Sequence, residues 1–378
     1  MRYVVAIFGL ALLMVVHEAG HYFAARACGM RVTKFSIGFG PSFIKVVPEN
    51  GFWWLTAFGD RIKAKLFKHN PEKHGPTVFQ VAAIPFLAYV QIAGMNPLEE
   101  VDPLDKGSYA NAGLWARIVT IFAGPLANFV FASVFFFVPG YFEGVPADET
   151  QIRVVKDMPV AKDSTDREPT PAAKAGLEDG DKILTVQDTP VSTWTEMASR
   201  ISENPGTEIP IEVLRKGERV TIVVTPKASD DGRGRIGVTP FGLRPANGLG
   251  EAALFAIKAP PQHMRVQLEA LREVFKGKEE AKLGGPKVMV DQMAQAAESG
   301  WEDFLMFLGA LSTWLAVFNL LPIPALDGGR LMFLGYEATT RKRPNPTVEA
   351  HIHAIGLIMM LGLMAYVTIA NDLGFGSK

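Results

Sequence analysis

The stretch VVHEAGHYFAARA, residues 15–27, places three ionisable side chains inside an apolar run long enough to cross a membrane. A helix needs about 20 apolar residues to span a bilayer, and residues 4–28 meet this length apart from His17, Glu18 and His21. Polar groups in hydrocarbon are costly unless they are paired or functional. A helix face that binds a metal ion gives these three side chains a function.

Three further apolar runs predict additional spans at roughly 114–138, 304–326 and 353–371. Hydrophobic residues make up 48% of the 378 residues, and the mean hydropathy of +0.15 is high for a soluble protein. A fifth run, 78–95, is interrupted by glutamines and a proline and predicts a re-entrant or interfacial segment. The chain is therefore expected to be a four-span protein in contact with lipid.

Charge and cysteine content argue against a nucleic-acid-binding protein and against a disulfide-stabilised fold. The formal net charge of −1 argues against nucleic acid as a partner. Cys28 is the single cysteine, so an internal disulfide cannot form. The first stretch also imitates a secretory signal peptide ending in Ala25-Arg26-Ala27, but such peptides rarely carry His17, Glu18 and His21 together.

Lysines and arginines follow the first and third runs, for example Arg31, Lys34 and Lys45, and Arg341, Lys342 and Arg343. By the positive-inside rule both loops are cytoplasmic. The termini and residues 139–300 are then predicted on the opposite side of the membrane.

Residues 139–300 have the composition of a soluble α/β module, with predicted strands at 182–187, 208–215 and 219–225 and a predicted helix at 193–204. The stretch PAAKAGLEDGDKILTVQDTPVSTWTEM, 171–197, resembles a PDZ domain of the bacterial, circularly permuted type. That resemblance implies peptide binding at a strand edge, although AKDSTDREPT, 161–170, departs from it as an insertion. Further on, Met264, Leu268, Leu271 and Phe275 form one apolar stripe of a predicted connecting helix.

His17 and His21 are four residues apart, about 40° around a helix, so both imidazoles face one way and can fill two positions of a tetrahedral zinc. Glu18 is too close along the chain to ligate comfortably beside them, but it can take a proton from water activated by the metal. A catalytic zinc needs a third protein ligand. Asp327, in FNLLPIPALDGGRL, is the carboxylate in an apolar context that best fits, and an Asp-Gly turn at the end of a span is the structural alternative.

HEAGH in the first span and NLLPIPALDGG in the third resemble the two signatures of the site-2 protease family of intramembrane zinc metalloproteases. The PDZ-like insertion and four spans resemble its bacterial branch that cleaves anti-sigma factors. This resemblance implies a location in the inner, cytoplasmic membrane of a bacterium, with the termini and residues 139–300 on the periplasmic side. The resemblance implies one Zn²⁺ per chain held by His17, His21 and Asp327, with Glu18 as general base. It also implies that Asn319 helps to hold the substrate or the transition state.

Two more stretches resemble the same family. FSIGFGP, 35–41, is similar to its glycine-containing β-hairpin that enters the membrane, and AGPLANFVFA, 123–132, is similar to its second span. We therefore predict that Gly38, Gly40 and Asn128 contact substrate, with hydrogen bonding inside the bundle as the equal alternative for Asn128. The segment Pro85-Phe86-Leu87-Ala88-Tyr89-Val90 departs from the family, which carries a glycine pair there.

The predicted fold is a polytopic α-helical membrane protein with four transmembrane helices, a membrane-associated β-hairpin and an inserted periplasmic α/β PDZ domain. Its expected parts are 1–138, the first membrane half; 139–245, the PDZ domain; 246–300, amphipathic connecting helices; and 301–378, the second membrane half.

The expected function is zinc-dependent cleavage of single-span membrane proteins near the cytoplasmic face. The substrates would be anti-sigma factors or similar proteins, or signal-peptide remnants, and the PDZ domain would filter them and bind a peptide or protein ligand. A membrane-anchored PDZ adaptor without proteolytic activity is the alternative from another class. A protease of lipidated or misfolded proteins is a second enzyme alternative, but it does not explain the setting of Asp327.

Overall fold

The computed structural model describes residues 2–59, 61–146, 150–159, 167–229, 232–275 and 285–369. The chain divides into two compact units, one formed by 1–140 with 253–378 and the other by 141–252. The helices of the described residues are α1 Arg2–Ala27, α2 Pro71–His74, α3 Leu114–Phe142, α4 Pro171–Ala175, α5 Trp194–Ser202, α6 Leu249–Phe275, α7 Pro286–Ser299, α8 Trp301–Leu320, α9 Asp327–Thr340 and α10 Pro346–Val367.

The longer strands are β1 Val32–Glu49, β2 Phe52–Ala57, β3 Ile62–Lys68 and β4 Val78–Ile92 in the first unit. The second unit contains β5 Val145–Pro146, β6 Ile152–Val154, β7 Asp157–Pro159, β8 Arg167–Pro169, β9 Lys182–Val186, β10 Thr189–Pro190, β11 Ile209–Arg215, β12 Glu218–Val224, β13 Lys227–Ala228, β14 Gly234–Arg235, β15 Val238–Pro240 and β16 Leu243–Arg244.

Four helices, α1, α3, α8 and α10, are long and apolar enough to cross a membrane, with mean hydropathies between 1.5 and 2.0. They correspond to the four predicted spans and confirm a membrane-embedded protein. The third span is shorter than predicted, because α8 ends at Leu320 and the backbone is extended at Leu321. Proline cannot continue a helix, so Pro322 and Pro324 keep the following segment unwound until α9 begins at Asp327.

Buried side chains from four helices form the core of the membrane unit. Leu13 of α1, Phe135 of α3, Met293 of α7 and Leu308 of α8 pack in one cluster. The sequence patterns did not separate α7 from the connecting segment before it. In the helix that carries the predicted apolar stripe, Leu268 is 43% exposed, whereas Gln267 beside it is buried.

The first unit also contains a four-stranded sheet in the order β3-β2-β1-β4. Residues 34–37 of β1 pair with 78–81 on one side and with 88–91 on the other, because both β1 and β4 bend in the middle. The bend in β1 lies at Gly38, where φ is +94° and an added Cβ would stand 2.8 Å from two backbone oxygens of β4. Segment 78–92 is therefore a strand, which agrees with the prediction that it does not span the membrane.

The second unit is built on a sheet in the order β10-β9-β11-β12. Its three main strands lie within a residue of the predicted ones, and α5 falls inside the predicted helix. Met197 and Ile201 of α5 pack with Ile183, Ile211 and Val213 of the sheet in one buried core. This unit has a core of its own and matches the α/β module expected from the sequence.

A buried ion pair ties α3 to α9, the helix that begins at Asp327. Arg117 donates to both carboxylate oxygens of Glu337, at 3.0 and 2.5 Å, and both side chains are about one-tenth exposed. Removing one partner leaves a buried charge, which typically costs about 3–5 kcal/mol. Glu337→Gln should therefore lower the melting temperature of the detergent-solubilised protein, and Arg117→Met/Glu337→Leu should recover part of the loss.

The matched control is Arg265→Gln, which breaks an exposed i,i+4 pair with Glu269. Exposed pairs contribute roughly 0–1 kcal/mol, so this variant should melt close to wild type. A Glu337→Gln variant that melts no lower than the control would contradict the role of the buried pair.

Asp181 should make stability depend on pH in the second unit. Burial alone would raise the pKa of Asp181, but hydrogen bonds from Arg215 and from the Glu178 amide outweigh it and hold the pKa below its ordinary value of 3.8. A lowered folded-state pKa gives stability that is present above the unfolded pKa and lost as pH falls through the folded one. The melting temperature of wild type should therefore fall more steeply below about pH 4 than that of Asp181→Asn. Equal dependence of the two melting temperatures on pH would refute this.

Candidate metal centre and active site

Two neighbouring turns of α1 and the first residue of α9 converge on one point. The Nε2 atoms of His17 and His21 lie 3.2 Å apart, and each is 3.2 Å from Oδ2 of Asp327. Both histidines are 6% exposed. The structure thus brings together the three residues predicted as ligands, which are far apart in the chain.

These distances suit a small tetrahedral cation. Ligand atoms about 2.0–2.1 Å from a tetrahedral zinc lie about 3.3 Å from one another, close to the observed 3.2 Å. Oδ2 of Asp327 is buried and accepts no hydrogen bond from the described residues, so it remains available to a cation. Two imidazoles and a carboxylate are also a donor set that zinc favours, so the residues fit the metal.

The packing of α1 on α3 sets the orientation of His21. Its Nδ1 lies 2.8 Å from the carbonyl oxygen of Thr120; because a carbonyl only accepts, Nδ1 carries the proton and Nε2 keeps a lone pair for a metal. This approach requires small residues. An added Cβ at Gly124 would stand 2.2 Å from His21, and one at Gly20 would stand 2.1 Å from the Ala123 oxygen.

Asn128 has the same relation to His17. Its fully buried amide lies against the ring, with Nδ2 3.4 Å from Nδ1 of His17, while its Oδ1 has no hydrogen-bond partner in the described part of the chain. A half-turn of the amide exchanges two nearly isosteric ends, pairs Oδ1 with a protonated Nδ1 and leaves Nε2 free to ligate. Of the two roles expected for Asn128, the contact present is the one inside the bundle.

Glu18 lies beside the three ligand atoms without joining them. Its Oε2 accepts a hydrogen bond of 2.9 Å from the backbone N–H of Val90 in β4. The half-buried side chain lines a cavity of about 420 Å³ together with His17, His21 and Asp327. One carboxylate oxygen is therefore anchored to the sheet, and the carboxylate as a whole stays next to the candidate metal centre.

The loop before Asp327 is packed too closely to tolerate side chains at its contacts. A Cβ at Gly328 would stand 2.0 Å from the Leu321 oxygen, and one at Gly329 would stand 2.6 Å from the Ile323 oxygen. Both glycines of the LDGG stretch are thus required by the return of the loop over the start of α9. Ala325 in this loop has φ of +75°, and its N–H donates to Nδ1 of His353 at 2.9 Å.

Two further cavities lie next to the cavity at the metal centre. One of about 560 Å³ is lined by Tyr89, Glu99 and Arg330 among others, and one of about 340 Å³ is lined by residues that include Tyr109 and Glu349. Met95 and Arg330 line all three cavities. Burial raises the pKa of Tyr109 to about 12. The three cavities are therefore neighbours that share the side chains of Met95 and Arg330.

Of the other predicted site residues, some lie at the metal cavity and others do not. Asn319 lines the metal cavity, and its Nδ2 donates to the Leu315 oxygen at 2.9 Å. Gly38 and Gly40 lie in β1, and neither is among the residues that line that cavity. Sequence reasoning missed the Thr120 carbonyl, the Val90 amide and His353. Backbone groups carry no sequence signal, but His353 was recognisable as an ionisable side chain in an apolar helix.

Comparison with known proteins identifies a family of peptidases. The family model described as Peptidase family M50 matches residues 5–59 and 52–363. A putative zinc metalloprotease of Mesorhizobium japonicum is 31% identical, over 97% of both chains. The Zinc metalloprotease RasP of Oceanobacillus iheyensis is 27% identical over 94% of this chain and 95% of its own, and the Regulator of sigma-W protease RasP of Bacillus subtilis is 27% identical over 96% of each.

The family match covers most of the chain and includes both HEAGH and the LDGG stretch. Among the described residues, four helices long and apolar enough to cross a membrane accompany it. The chain belongs to peptidase family M50, the site-2 protease family, and is a membrane-embedded, zinc-dependent metalloprotease.

Proposed function

We propose that this protein is an intramembrane endopeptidase in which His17, His21 and Asp327 hold the zinc ion and Glu18 is the general base. The observation that carries the proposal is the triangle of ligand atoms 3.2 Å apart, with Glu18 lining the same cavity. Zinc, when bound, acts as a Lewis acid that activates water and polarises the scissile carbonyl. The protein side chains carry the proton.

Glu18 accepts a proton from the attacking water and passes it to the amide nitrogen as the C–N bond breaks, so the products are a carboxylate and an amine. The Val90 N–H holds one oxygen of Glu18 in place, which leaves the other for the transfer. Asn319 is positioned in the same cavity to donate to the peptide oxygen. The cavities beyond Arg330 provide a route for water.

A substrate helix hides its amides in its own hydrogen bonds, so its backbone must become extended before attack. Residues 88–91 form an outer strand of the sheet beside the metal cavity, and Tyr89 and Val90 line that cavity. An extended peptide can pair with a sheet edge. Gly38 and Gly40 would contribute by shaping the bend of β1, and exposed Phe39, Phe43 and Ile84 near it suit a lipid setting.

The substrates we propose are single-span membrane proteins, including anti-sigma factors, cut near the cytoplasmic face. A relative named Regulator of sigma-W protease supports this class, and Arg26 at the end of α1 supports a cytoplasmic position for that end. The termini and the second unit would then lie on the periplasmic side of the inner membrane.

The second unit, in this proposal, is a PDZ domain that filters substrates. A groove of about 870 Å³ between α5 and residues 233–238 supports peptide binding, because it is lined by Trp194, Met197 and Ile236. An untrimmed substrate, which still carries a folded outer domain, would be hindered by the second unit. A substrate that has lost this domain would reach the active site. The proposed parts of the chain are those expected from the sequence: 1–138, 139–245, 246–300 and 301–378.

Glu18→Gln tests the catalytic proposal. Glutamine keeps the shape but cannot take a proton, and loss of a general base typically costs about 10²–10⁴ in rate. Purified Glu18→Gln should retain one zinc per chain by elemental analysis and lose cleavage of a model single-span substrate. Asp327→Asn, the matched control, should lose zinc as well. Wild type that binds no zinc and does not cleave the substrate would favour the membrane-anchored adaptor instead. Full cleavage activity in Glu18→Gln would refute Glu18 as the general base.

Ala198→Trp tests the filter, because Ala198 lines the groove of the second unit. The measurement is the cleavage rate of a trimmed substrate divided by that of the intact substrate. This ratio should fall toward one when the tryptophan side chain fills the groove. Thr221→Trp, on an exposed position of β12, is the matched control and should keep the wild-type ratio. If Ala198→Trp also keeps it, the groove does not select substrates.

A further inference from the structure

His353 on α10 makes a contact that the proposed mechanism does not use. Its Nδ1 accepts a hydrogen bond of 2.9 Å from the N–H of Ala325, two residues before the proposed ligand Asp327. Because Nδ1 accepts, the neutral ring carries its proton on Nε2, and that atom is buried and has no partner among the described residues. The ring is therefore used here as an acceptor for one backbone group.

Ala325 needs such support because its φ of +75° lies in the left-handed region that residues with a Cβ avoid. A strained conformation of this kind persists only where its surroundings enforce it. The amide of Ala325 also lies at the C-terminal side of Pro324, where no regular helix hydrogen bonds are available. His353 satisfies the amide and holds this backbone conformation.

The rest of α10 locks the same loop from one side. His353 and Gly356 are three residues apart and so lie on one face of the helix. At Gly356 an added Cβ would stand 2.3 Å from Cβ of Pro324 and 2.8 Å from its carbonyl group. Phe333 of α9 lies against the His353 ring, with centroids 5.5 Å apart. α10 thus contacts both the loop that precedes Asp327 and the helix that follows it.

We propose that His353 is a positioning residue that orients the third zinc ligand from outside the metal centre, through the N–H of Ala325 and the short loop to Asp327. This inference rests on the proposed zinc centre of His17, His21 and Asp327. Groups that orient metal ligands commonly change metal affinity by about 10- to 100-fold when removed. The fourth span thereby acquires a function in metal binding, although none of its residues belongs to the ligand cluster.

The test compares His353→Leu with His353→Asn in the full-length protein in detergent. Leucine removes the acceptor, whereas the Oδ1 of asparagine can take the place of Nδ1. Zinc affinity is measured by competition with a chromogenic chelator, and the coordination geometry by the visible spectrum of the Co²⁺-substituted protein. We expect His353→Leu to bind zinc about 10- to 100-fold more weakly with an altered Co²⁺ spectrum, and His353→Asn to restore both to near wild type.

The matched control is His351→Leu on the same helix. His351 is exposed, and its Nδ1 bonds to the carbonyl oxygen of Thr347 one turn earlier in the same helix. It should keep wild-type affinity and spectrum. The inference is overturned if His353→Leu keeps both, or if His351→Leu loses as much. If Asp327→Asn bound zinc as tightly as wild type, the zinc centre itself would be refuted. The two failures are therefore distinguishable.

Discussion

The arrangement of this protein depends on bringing a carboxylate and two imidazoles together inside an apolar bundle. An isolated charge at that depth is costly, and a buried polar atom without a partner costs free energy as well. Oδ2 of Asp327 and the two Nε2 atoms face one another at 3.2 Å, a geometry that a small divalent cation stabilises. The positions of α1, α3 and α9 are all constrained by this requirement.

Close backbone approach is the means by which the bundle meets that constraint. Gly20 and Gly124 let α1 and α3 touch, so that the Thr120 carbonyl reaches His21. Gly328 lets the loop fold back on the start of α9, and Gly356 lets α10 pack on Pro324. Within a membrane, van der Waals packing rather than the hydrophobic effect favours such contacts between helices, and small residues are what make them possible.

The sheet beside α1 adds a second kind of constraint. A backbone amide of β4 holds Glu18, so the general base of the proposed mechanism is oriented by a strand instead of by another side chain. Because the same strand is at the edge of its sheet and lines the metal cavity, one element can both position the base and receive an extended substrate. The proposed mechanism therefore depends on a β-sheet packed against the membrane helix α1.

Several features could be read from the sequence alone: the four apolar runs, the two histidines on one face of α1, the interruption at Pro322 and Pro324, and the main strands of the second unit. These features follow from hydrophobic run length, helical spacing and proline chemistry, all of which act over a few neighbouring residues. The tertiary structure was needed to find the backbone partners of His21 and Glu18, the contact of His353 with the loop before Asp327, and the burial of Gln267 beside exposed Leu268. Those outcomes depend on contacts between segments far apart in the chain, where a carbonyl or an amide looks the same at every position of the sequence.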